Sequence, residues 1–179
     1  RLTERGRLLR VRGLSAVANL DMGIAERQRR RALQRLQGVE CPVEIDQTAL
    51  PATSRGTVLV LLAEFEHSQT CCFALGARGK PAERVADEAA EDLLGFLATD
   101  AAVDRWAADQ LLLPLACAER PSSLRTSEVT SHLLTNAEVI RAFLPVHIDI
   151  DGGLGEPATV RVDPTPATAG LTMLQRGEA

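Results

Sequence analysis

Aromatic side chains are scarce in this sequence, which has no Tyr, one Trp and four Phe among 179 residues. Leu, Val, Ala and Ile must therefore supply most of the packing, so the single indole of Trp106 is conspicuous. The sequence also lacks a long apolar run and a recognisable signal peptide. We therefore expect a soluble, cytoplasmic protein that does not enter a membrane.

The four cysteines show no C-x-x-C spacing and have no neighbouring His, which argues against a zinc site and against a disulfide framework. Cys71 and Cys72 are adjacent and would point to opposite faces of a strand. Hydrophobic residues make up 45% of the chain, which excludes wholesale disorder. The formal net charge of -4 argues against a uniformly basic nucleic-acid surface, although the arginines are unevenly spread.

Hydrophobic periodicity predicts a first α/β unit over residues 1–99, with Leu59, Leu61, Leu93 and Leu97 in its core. Asn19 or Asp21 would cap its first helix, and Pro81 would open its second. The nearly continuous apolar run 57–65 is typical of a strand that is covered on both faces. The predicted elements are strand 9–18, a helix to residue 36, strands 39–45, 57–65 and 72–75, and helix 81–97.

A second α/β unit is predicted over residues 100–163, followed by a flexible tail over residues 164–179, where Pro, Thr, Ala and Gly dominate. Pro114 should end or kink the first helix of this unit. The predicted elements are helix 103–112, strand 124–129, helix 135–143 and the strands 146–150 and 159–162.

The segment around Trp106 is the first candidate for function. On a helix, Trp106, Asp109 and Gln110 share one face with Leu113, because they lie at i, i+3, i+4 and i+7. A flat indole beside a carboxylate and an amide suits a nucleoside, which needs stacking for its base and hydrogen bonds for its ribose. The alternative interpretation is a helix with a half-buried Trp and a polar edge, which is the commoner origin of such a stripe.

His132 is the second candidate, and the sequence places it just before a helix whose first turn holds Thr135 and Asn136. The N–H groups and positive potential of a helix N-terminus suit a phosphate. A neutral imidazole held by an acceptor is a competent nucleophile toward phosphorus. The alternative interpretation is a histidine that is packed and hydrogen-bonded at a strand–helix junction.

Other motifs are weaker. Residues 76–81 suggest a phosphate loop but lack the spacing of a P-loop, so a turn before a helix explains them better. His67 and His147 are isolated in the sequence. A basic helix could meet RNA phosphates, although a solvated face is the simpler interpretation, and its arginines are Arg27, Arg29, Arg30, Arg31 and Arg35.

Three stretches in this order and spacing resemble the RNA 3'-terminal phosphate cyclase family. They are residues 74–83 (ALGARGKPAE), 102–111 (AVDRWAADQL) and 131–136 (SHLLTN), the last followed by FLP at residues 143–145. The likeness extends from about Arg5 to Val162. Each motif alone is weak, whereas the ordered set is specific. The resemblance implies a small inserted domain of thioredoxin-like topology up to about Thr99, followed by part of a larger catalytic domain.

The resemblance also implies a ligase that uses ATP and a divalent metal, Mg or Mn, to turn an RNA 3'-phosphate into a 2',3'-cyclic phosphate. Position by position, His132 matches the histidine that accepts AMP, and Trp106 falls where the family usually has a Tyr that stacks on adenine. Ala107, Ala108, Asp109 and Gln110 match the rest of the nucleotide-binding segment.

The family's N-terminal Gly-rich segment, with its metal-binding acid and its phosphate-binding Gln and Arg, has no counterpart here. We therefore expect the N-terminal half of the enzyme to be supplied either in cis or by another chain. Two other readings stay open. One is a non-catalytic cyclase-like scaffold in RNA processing or ribosome assembly, although such relatives lack the histidine that matches His132. The other is a free-standing α/β binding module.

Overall fold

A computed structural model describes residues 1–164 of the chain, which form two compact units. The first unit is Glu4–Ala102, and the second combines Arg1–Thr3 with the residues from Val103 onward. The described residues contain, in chain order, β1 (Leu8–Ala18), α1 (Met22–Arg35), β2 (Val43–Ala49), β3 (Gly56–Phe65), β4 (Gln69–Leu75), α2 (Ala82–Leu97), α3 (Arg105–Ala116), β5 (Ser122–Thr126), α4 (Ser131–Phe143), β6 (Val146–Asp151) and β7 (Ala158–Pro164).

The predicted tail begins at Pro164, which is the last residue of β7, and its remaining residues 165–179 lie outside the described part of the chain. The predicted domain boundaries, after residues 99 and 163, stay a prediction. No helix in residues 1–164 is both long enough and apolar enough to cross a bilayer.

The first unit is built on a four-stranded sheet of order β2-β1-β3-β4. Strands β1 and β2 are parallel and are joined by α1, whereas β3 is antiparallel to both β1 and β4. A βαβ motif is thus followed by a ββα motif, consistent with the thioredoxin-like topology that the resemblance implies. Both units mix helices with sheet, which confirms the predicted α+β class.

The core of the first unit lies between one face of this sheet and the helices α1 and α2. Leu59, Leu61 and Leu93 are fully buried in it, as predicted, and Leu97 is partly buried against it. Alternate residues of β3 are only half-buried. The predicted coverage of this strand on both faces is therefore wrong, because both helices pack on the same face of the sheet.

Gly13 allows the central strand β1 to sit close to its neighbours. A Cβ on Gly13 would lie 2.9 Å from Ile45 Cγ1, 3.0 Å from Leu61 Cδ2 and 3.0 Å from the Val60 carbonyl oxygen. Because these distances are shorter than van der Waals contact, the close packing of Ile45 and Leu61 across β1 requires a residue without a side chain at this position.

Arginines of α1 form ion pairs with acidic residues of α2. Arg31 Nε lies 2.8 Å from Asp87 Oδ1, and this hydrogen bond raises the pKa of the guanidinium. Three further pairs join the helices: Arg27 with Glu83 and Arg35 with Glu91, each at 3.5 Å, and Arg35 with Asp87 at 3.6 Å. Arg30 is exposed and the paired arginines remain partly exposed, so the basic face of α1 is both salt-bridged to α2 and partly solvated, and its contact with RNA phosphates stays a prediction.

Several predicted boundaries shift in the structure. The second strand begins at Val43 instead of Val39, because Val39 and Cys41 donate their N–H groups to Leu36 and Val39 in turns that follow α1. Helix α3 continues two residues beyond Pro114 before it ends at Ala116. The opposite orientation of the adjacent cysteines is confirmed, since Cys71 is exposed and Cys72 is buried.

Arg5 ties the start of the first unit to the C-terminal end of α2. Its guanidinium lies 5.1 Å from the ring centroid of Phe65 and 5.2 Å from that of Phe96. It also donates hydrogen bonds of 3.0 Å to the carbonyl oxygens of Phe96 and Leu97. Burial lowers the pKa of Arg5, whereas Asp100 raises it. A cation at this helix end is stabilised by the carbonyl dipoles.

The second unit has a three-stranded sheet of order β5-β7-β6, with antiparallel neighbours throughout. Because β5 and β6 both run antiparallel to β7, they run parallel to one another and are joined by α4. The two helices pack against each other and against this sheet. Leu124, Ile148 and Val160 are buried beneath them. The opposite face is polar and includes an ion pair between Arg161 and Asp149, at 2.8 Å.

Candidate nucleotide-binding site

Asp104 caps α3 and thereby places Trp106 in its first turn. The Asp104 carboxylate accepts hydrogen bonds from the N–H groups of Trp106, at 2.9 Å, and Ala107, at 2.8 Å. Such a cap satisfies two of the N–H groups that a helix leaves without an internal partner. It also places a negative charge at the positive end of the helix dipole, which it neutralises.

The indole of Trp106 is 53% exposed, so it is available to a ligand. The guanidinium of Arg105 lies 4.8 Å from the ring centroid, a cation–π contact that covers one face of the indole. Arg105 is also held by Glu128, whose carboxylate oxygen lies 3.1 Å from its Nη1 atom. These two contacts fix the orientation of the exposed ring.

The other predicted nucleotide-binding residues differ in exposure. Gln110 is exposed one turn after Trp106, and Asp109 is half-buried beside it. Ala107 is half-buried, whereas Ala108 is fully buried and packs into the core of the unit. The side chains of Trp106, Asp109 and Gln110 are therefore the ones that a ligand on this surface can reach.

His132 lies inside a helix rather than before one, which corrects the sequence-based boundary. Helix α4 begins at Ser131, because Thr130 caps it and its Oγ1 atom accepts a hydrogen bond of 3.0 Å from the N–H of Leu133. His132 is thus the second residue of the first turn, and Thr135 and Asn136 follow in the next. The imidazole is exposed and has no hydrogen-bond partner within residues 1–164, which excludes the packed junction histidine.

The N-terminus of α4 retains its capacity to bind an anion. The neutral Thr130 cap uses the N–H of Leu133, and the Thr130 carbonyl oxygen accepts the N–H of Leu134 at 3.2 Å. The N–H groups of Ser131 and His132 precede these and belong to the set that a helix leaves for external acceptors. Since no carboxylate caps α4, the positive end of its dipole is not neutralised as it is in α3.

The first turns of α3 and α4 are both anchored at the C-terminal end of β5. Just before α3, the N–H of Val103 donates to the carbonyl oxygen of Arg125, and the Val103 carbonyl accepts from Ser127, each at 3.0 Å. Thr130 follows Ser127 by three residues and opens α4. The Arg105–Glu128 ion pair joins the two connections. The structure therefore brings the helices of Trp106 and His132 together, while a shared cleft for the two side chains stays a prediction.

The sequence-based predictions missed the residues that position Trp106 and His132. Asp104 and Thr130 are typical helix-capping residues directly before a periodic segment, so the capping signal was present in the sequence. The Arg105–Glu128 contact had no such signal, because the partners lie on different elements. The loop at residues 76–81 is a turn, with a 3.0 Å hydrogen bond from the Lys80 N–H to the Ala77 carbonyl.

No group of three or more His, Cys, Asp or Glu side chains within residues 1–164 is arranged to hold a metal ion. The structure itself describes an α+β protein with an exposed histidine in the first turn of a helix that has a neutral cap, and an exposed indole on the neighbouring helix.

Comparison with known proteins identifies the class. Residues 3–98 match the model of the RNA 3'-terminal phosphate cyclase (RTC) insert domain. The chain is 36% identical over 155 residues to an RNA 3'-terminal phosphate cyclase from Pyrococcus furiosus, covering 87% of this chain and 45% of that protein. It is 41% identical over 166 residues to the Methanopyrus kandleri protein of the same name, covering 89% and 47%.

The similarity continues in Hyperthermus butylicus, whose RNA 3'-terminal phosphate cyclase is 42% identical over 154 residues, covering 81% of this chain and 42% of that protein. The chain belongs to the RNA 3'-terminal phosphate cyclase family. It spans a little under half the length of these relatives.

Proposed function

We propose that this chain is the histidine-bearing half of an ATP-dependent RNA 3'-terminal phosphate cyclase. The observation that carries the proposal is His132, exposed in the first turn of a helix whose N-terminus is not neutralised. Membership of the family supports it, and so does the exposed Trp106 on the adjacent helix. The non-catalytic scaffold is disfavoured, because such a protein has no need of a histidine at this position.

His132 would act as the nucleophile toward the α-phosphate of ATP. In that step a P–N bond forms between the imidazole and the α-phosphorus, and the P–O bond to pyrophosphate breaks, so that pyrophosphate leaves with the electron pair. The N–H groups at the start of α4 would bind the non-bridging oxygens of the α-phosphate, whose charge the helix dipole stabilises. The position of His132 within that turn supports both roles.

The resulting phosphoramidate would pass AMP to the RNA 3'-phosphate. An oxygen of that phosphate attacks the AMP phosphorus, and His132 leaves. The neighbouring 2'-hydroxyl then attacks the activated 3'-phosphorus, loses its proton and expels AMP, which closes the 2',3'-cyclic phosphate. Each step exchanges one phosphorus bond for another, so no oxidant or reductant is needed.

Trp106 would hold the adenine base on the face of the indole that Arg105 does not cover. Asp109 and Gln110 would hydrogen-bond the ribose or the base edge, since a carboxylate and an amide supply both acceptors and donors. The neutralised N-terminus of α3 suits a neutral nucleoside, whereas the N-terminus of α4 suits the phosphate. The different charges of the two capping residues, Asp104 and Thr130, support this placement of the nucleoside and the phosphate.

The remaining half of the cyclase, in cis or as another chain, would supply the groups that bind the β- and γ-phosphates together with Mg or Mn. Such clamps stabilise the charge that develops on a leaving pyrophosphate. Bound metal would supply Lewis-acid stabilisation of that charge. We propose that the assembled enzyme acts in the cytoplasm, where both ATP and RNA 3'-phosphate ends are present.

The test is transfer of label from ATP to the protein. The assembled enzyme, with both halves present, is incubated with α-labelled ATP and Mg or Mn, and acid-labile, hydroxylamine-insensitive label is measured on the polypeptide. We expect label on the unaltered protein and none on His132→Asn. His147→Asn is the matched control, because His147 is also exposed but lies on β6. Undiminished label on His132→Asn would refute the proposal.

A further inference from the structure

The guanidinium that lies against the indole of Trp106 is itself held by a residue from a different connection. Arg105 Cζ is 4.8 Å from the ring centroid, and Arg105 Nη1 is 3.1 Å from a carboxylate oxygen of Glu128. Each side chain of this ion pair is 35% exposed, so solvent screens the pair only in part. Glu128, Arg105 and Trp106 therefore form a chain of contacts that ends at an exposed aromatic ring.

The backbone at Glu128 is fixed on both sides. On one side, Oγ1 of the fully buried Thr126 accepts a hydrogen bond of 3.4 Å from the Glu128 N–H and donates one of 3.2 Å to the Glu128 carbonyl oxygen. On the other side, Val129 is fully buried, and its N–H donates to the Glu156 carbonyl oxygen at 2.8 Å. Thr130, which caps α4, comes next. Glu128 thus lies in a short, well-anchored connection, which gives Arg105 a partner in a fixed place.

We propose that Arg105 and Glu128 are positioning residues for nucleotide binding. Glu128 orients the guanidinium of Arg105, and the guanidinium holds the indole of Trp106 in the orientation that accepts adenine. This inference rests on the proposed function, because Trp106 must be the residue on which the base stacks. Since Glu128 lies two residues before the cap of the helix that carries His132, the ion pair also relates the position of the ring to that helix.

The physical reason is the rotamer freedom of an exposed side chain. A ring that becomes immobilised only when its ligand binds weakens binding by roughly two- to tenfold. Contact with Arg105 restricts the indole beforehand, so that less freedom is lost when adenine stacks on its open face. A guanidinium suits this role because it is planar and stacks on an aromatic ring, whereas the ammonium of a Lys is a compact point charge.

The alternative role for Arg105 is direct contact with a phosphate of the nucleotide. The observed contacts favour positioning, because the guanidinium lies over the ring and its Nη1 atom faces a carboxylate. The two roles predict different results when the indole is removed. A positioning residue acts only through Trp106, whereas a residue that binds phosphate acts without it.

The contact itself is tested by fluorescence of the 179-residue chain, because Trp106 is its only Trp. In Arg105→Ala, acrylamide quenching should rise by roughly one and a half- to twofold, since the second face of the ring is uncovered. The anisotropy of the emission should fall. Glu128→Gln should change both quantities in the same direction by a smaller amount. If Arg105→Ala alters the circular dichroism, Arg105→Lys replaces it, because Lys keeps the charge but lacks the planar group.

The effect on binding is measured by calorimetric titration of the assembled enzyme with ATP. Arg105→Ala should weaken binding roughly two- to tenfold, and Glu128→Gln should weaken it by less. Arg161→Ala and Asp149→Asn are the matched controls, because these residues form another exposed ion pair of the same unit, at 2.8 Å on the polar face of its sheet. Both control variants should bind ATP as the unaltered enzyme does.

Action through the indole is tested by a double-mutant cycle. In a Trp106→Ala background, Arg105→Ala should change ATP affinity by less than about 1.5-fold, since the two residues act as one unit. Direct phosphate binding would instead give the same loss in both backgrounds. In labelling of His132 from α-labelled ATP, Arg105→Ala should raise the ATP concentration for half-maximal labelling. The rate at saturating ATP should change less than about twofold, because stacking is alike in the bound substrate and the transition state.

Three results would overturn the inference: unchanged fluorescence in Arg105→Ala, unchanged ATP affinity in that variant, or an equal loss of affinity with and without Trp106. In each case the unaltered enzyme would still form its adenylate on His132. Failure of the proposed function is distinguishable, because the unaltered enzyme itself would then form no adenylate, and that result would overturn both proposals.

Discussion

Trp106 and His132 occupy the same position on two helices that pack against each other: each is the second residue after its helix cap. The caps differ in charge, Asp104 for the first helix and Thr130 for the second. An acidic cap neutralises the end of the helix beside Trp106, and a neutral cap leaves the end beside His132 positive. This asymmetry predicts where the phosphate of a bound nucleotide lies.

Changing the cap of α4 should separate helix stability from phosphate binding. In Thr130→Asp, the new carboxylate should cap the helix at least as well as the hydroxyl does. The same charge should weaken ATP binding by the assembled enzyme by about 1–4 kcal/mol, since it lies close to the phosphate. Calorimetric ATP titration and denaturant unfolding measure the two effects. Thr130→Asn, a neutral cap, should retain both properties; equal ATP affinity of the Asp and Asn variants would contradict this arrangement.

Replacing Trp106 with Ala should weaken ATP binding by about 1–3 kcal/mol, the range for loss of base stacking on an aromatic ring. The change should leave unfolding nearly unaffected, because the indole is half-exposed. ATP titration of the assembled enzyme measures the difference. Leu113→Ala is the matched control on the same helix, with a similarly exposed side chain at 54%. A Trp106→Ala enzyme that binds ATP normally would remove the indole from the site.

The 179-residue chain alone should form negligible adenylate on His132. Attack on ATP needs stabilisation of the leaving pyrophosphate, and the family resemblance assigns the metal-binding acid and the phosphate-binding Gln and Arg to the other half of the enzyme. In other phosphoryl transfers an arginine clamp contributes about 10³–10⁵ in rate. Adding the other half of the cyclase in trans should restore labelling from α-labelled ATP. Rapid labelling of the chain by itself would show that this chain holds the triphosphate without help.

Stability of the first unit should fall in acid partly through Glu64. Hydrogen bonds from Arg10 lower the pKa of this carboxyl, with Arg12 contributing and partial burial opposing. A carboxyl whose pKa is lower in the folded protein stabilises the fold above its unfolded pKa, and this contribution disappears as pH falls through the folded value. The urea midpoint should therefore decline below about pH 4.3, the ordinary Glu pKa. Glu64→Gln should flatten that decline; an unchanged pH profile would exclude this residue as a source.

The close packing at Gly13 predicts a specific loss of stability. Gly13→Val places side-chain atoms where Ile45 and Leu61 already lie, and overpacking of this kind costs about 1–3 kcal/mol. Gly56→Val is the matched control, because Gly56 also lies in a strand but no atom lies within 4 Å of the Cβ it would gain. Denaturant unfolding should show Gly13→Val to be the less stable variant. Equal stabilities would mean that β1 can move away from its neighbours.

The sequence by itself determined most of the helices and strands, because their apolar repeats are local properties of the chain. The alternation up to Ala18, the stripe that ends at Leu97 and the opposite directions of Cys71 and Cys72 follow from the periods of strand and helix. Both candidate residues, Trp106 and His132, were also selected from the sequence. The element boundaries were less secure, since capping moved the start of α4 to Ser131, ahead of His132.

Only the tertiary structure decided which surfaces meet. Three features bring together residues that are far apart in sequence: the strand order, the packing of both helices on one face of the first sheet, and the ion pair of Arg31 with Asp87. No local sequence pattern encodes such contacts. The same holds for Arg105 and Glu128, which join the connections before α3 and α4. The residue types Trp106 and His132, and hence their chemistry, can be identified from the sequence alone. Their placement on packed helices results from burial of apolar surface between distant parts of the chain. Because that driving force is non-directional, no local pattern specifies it.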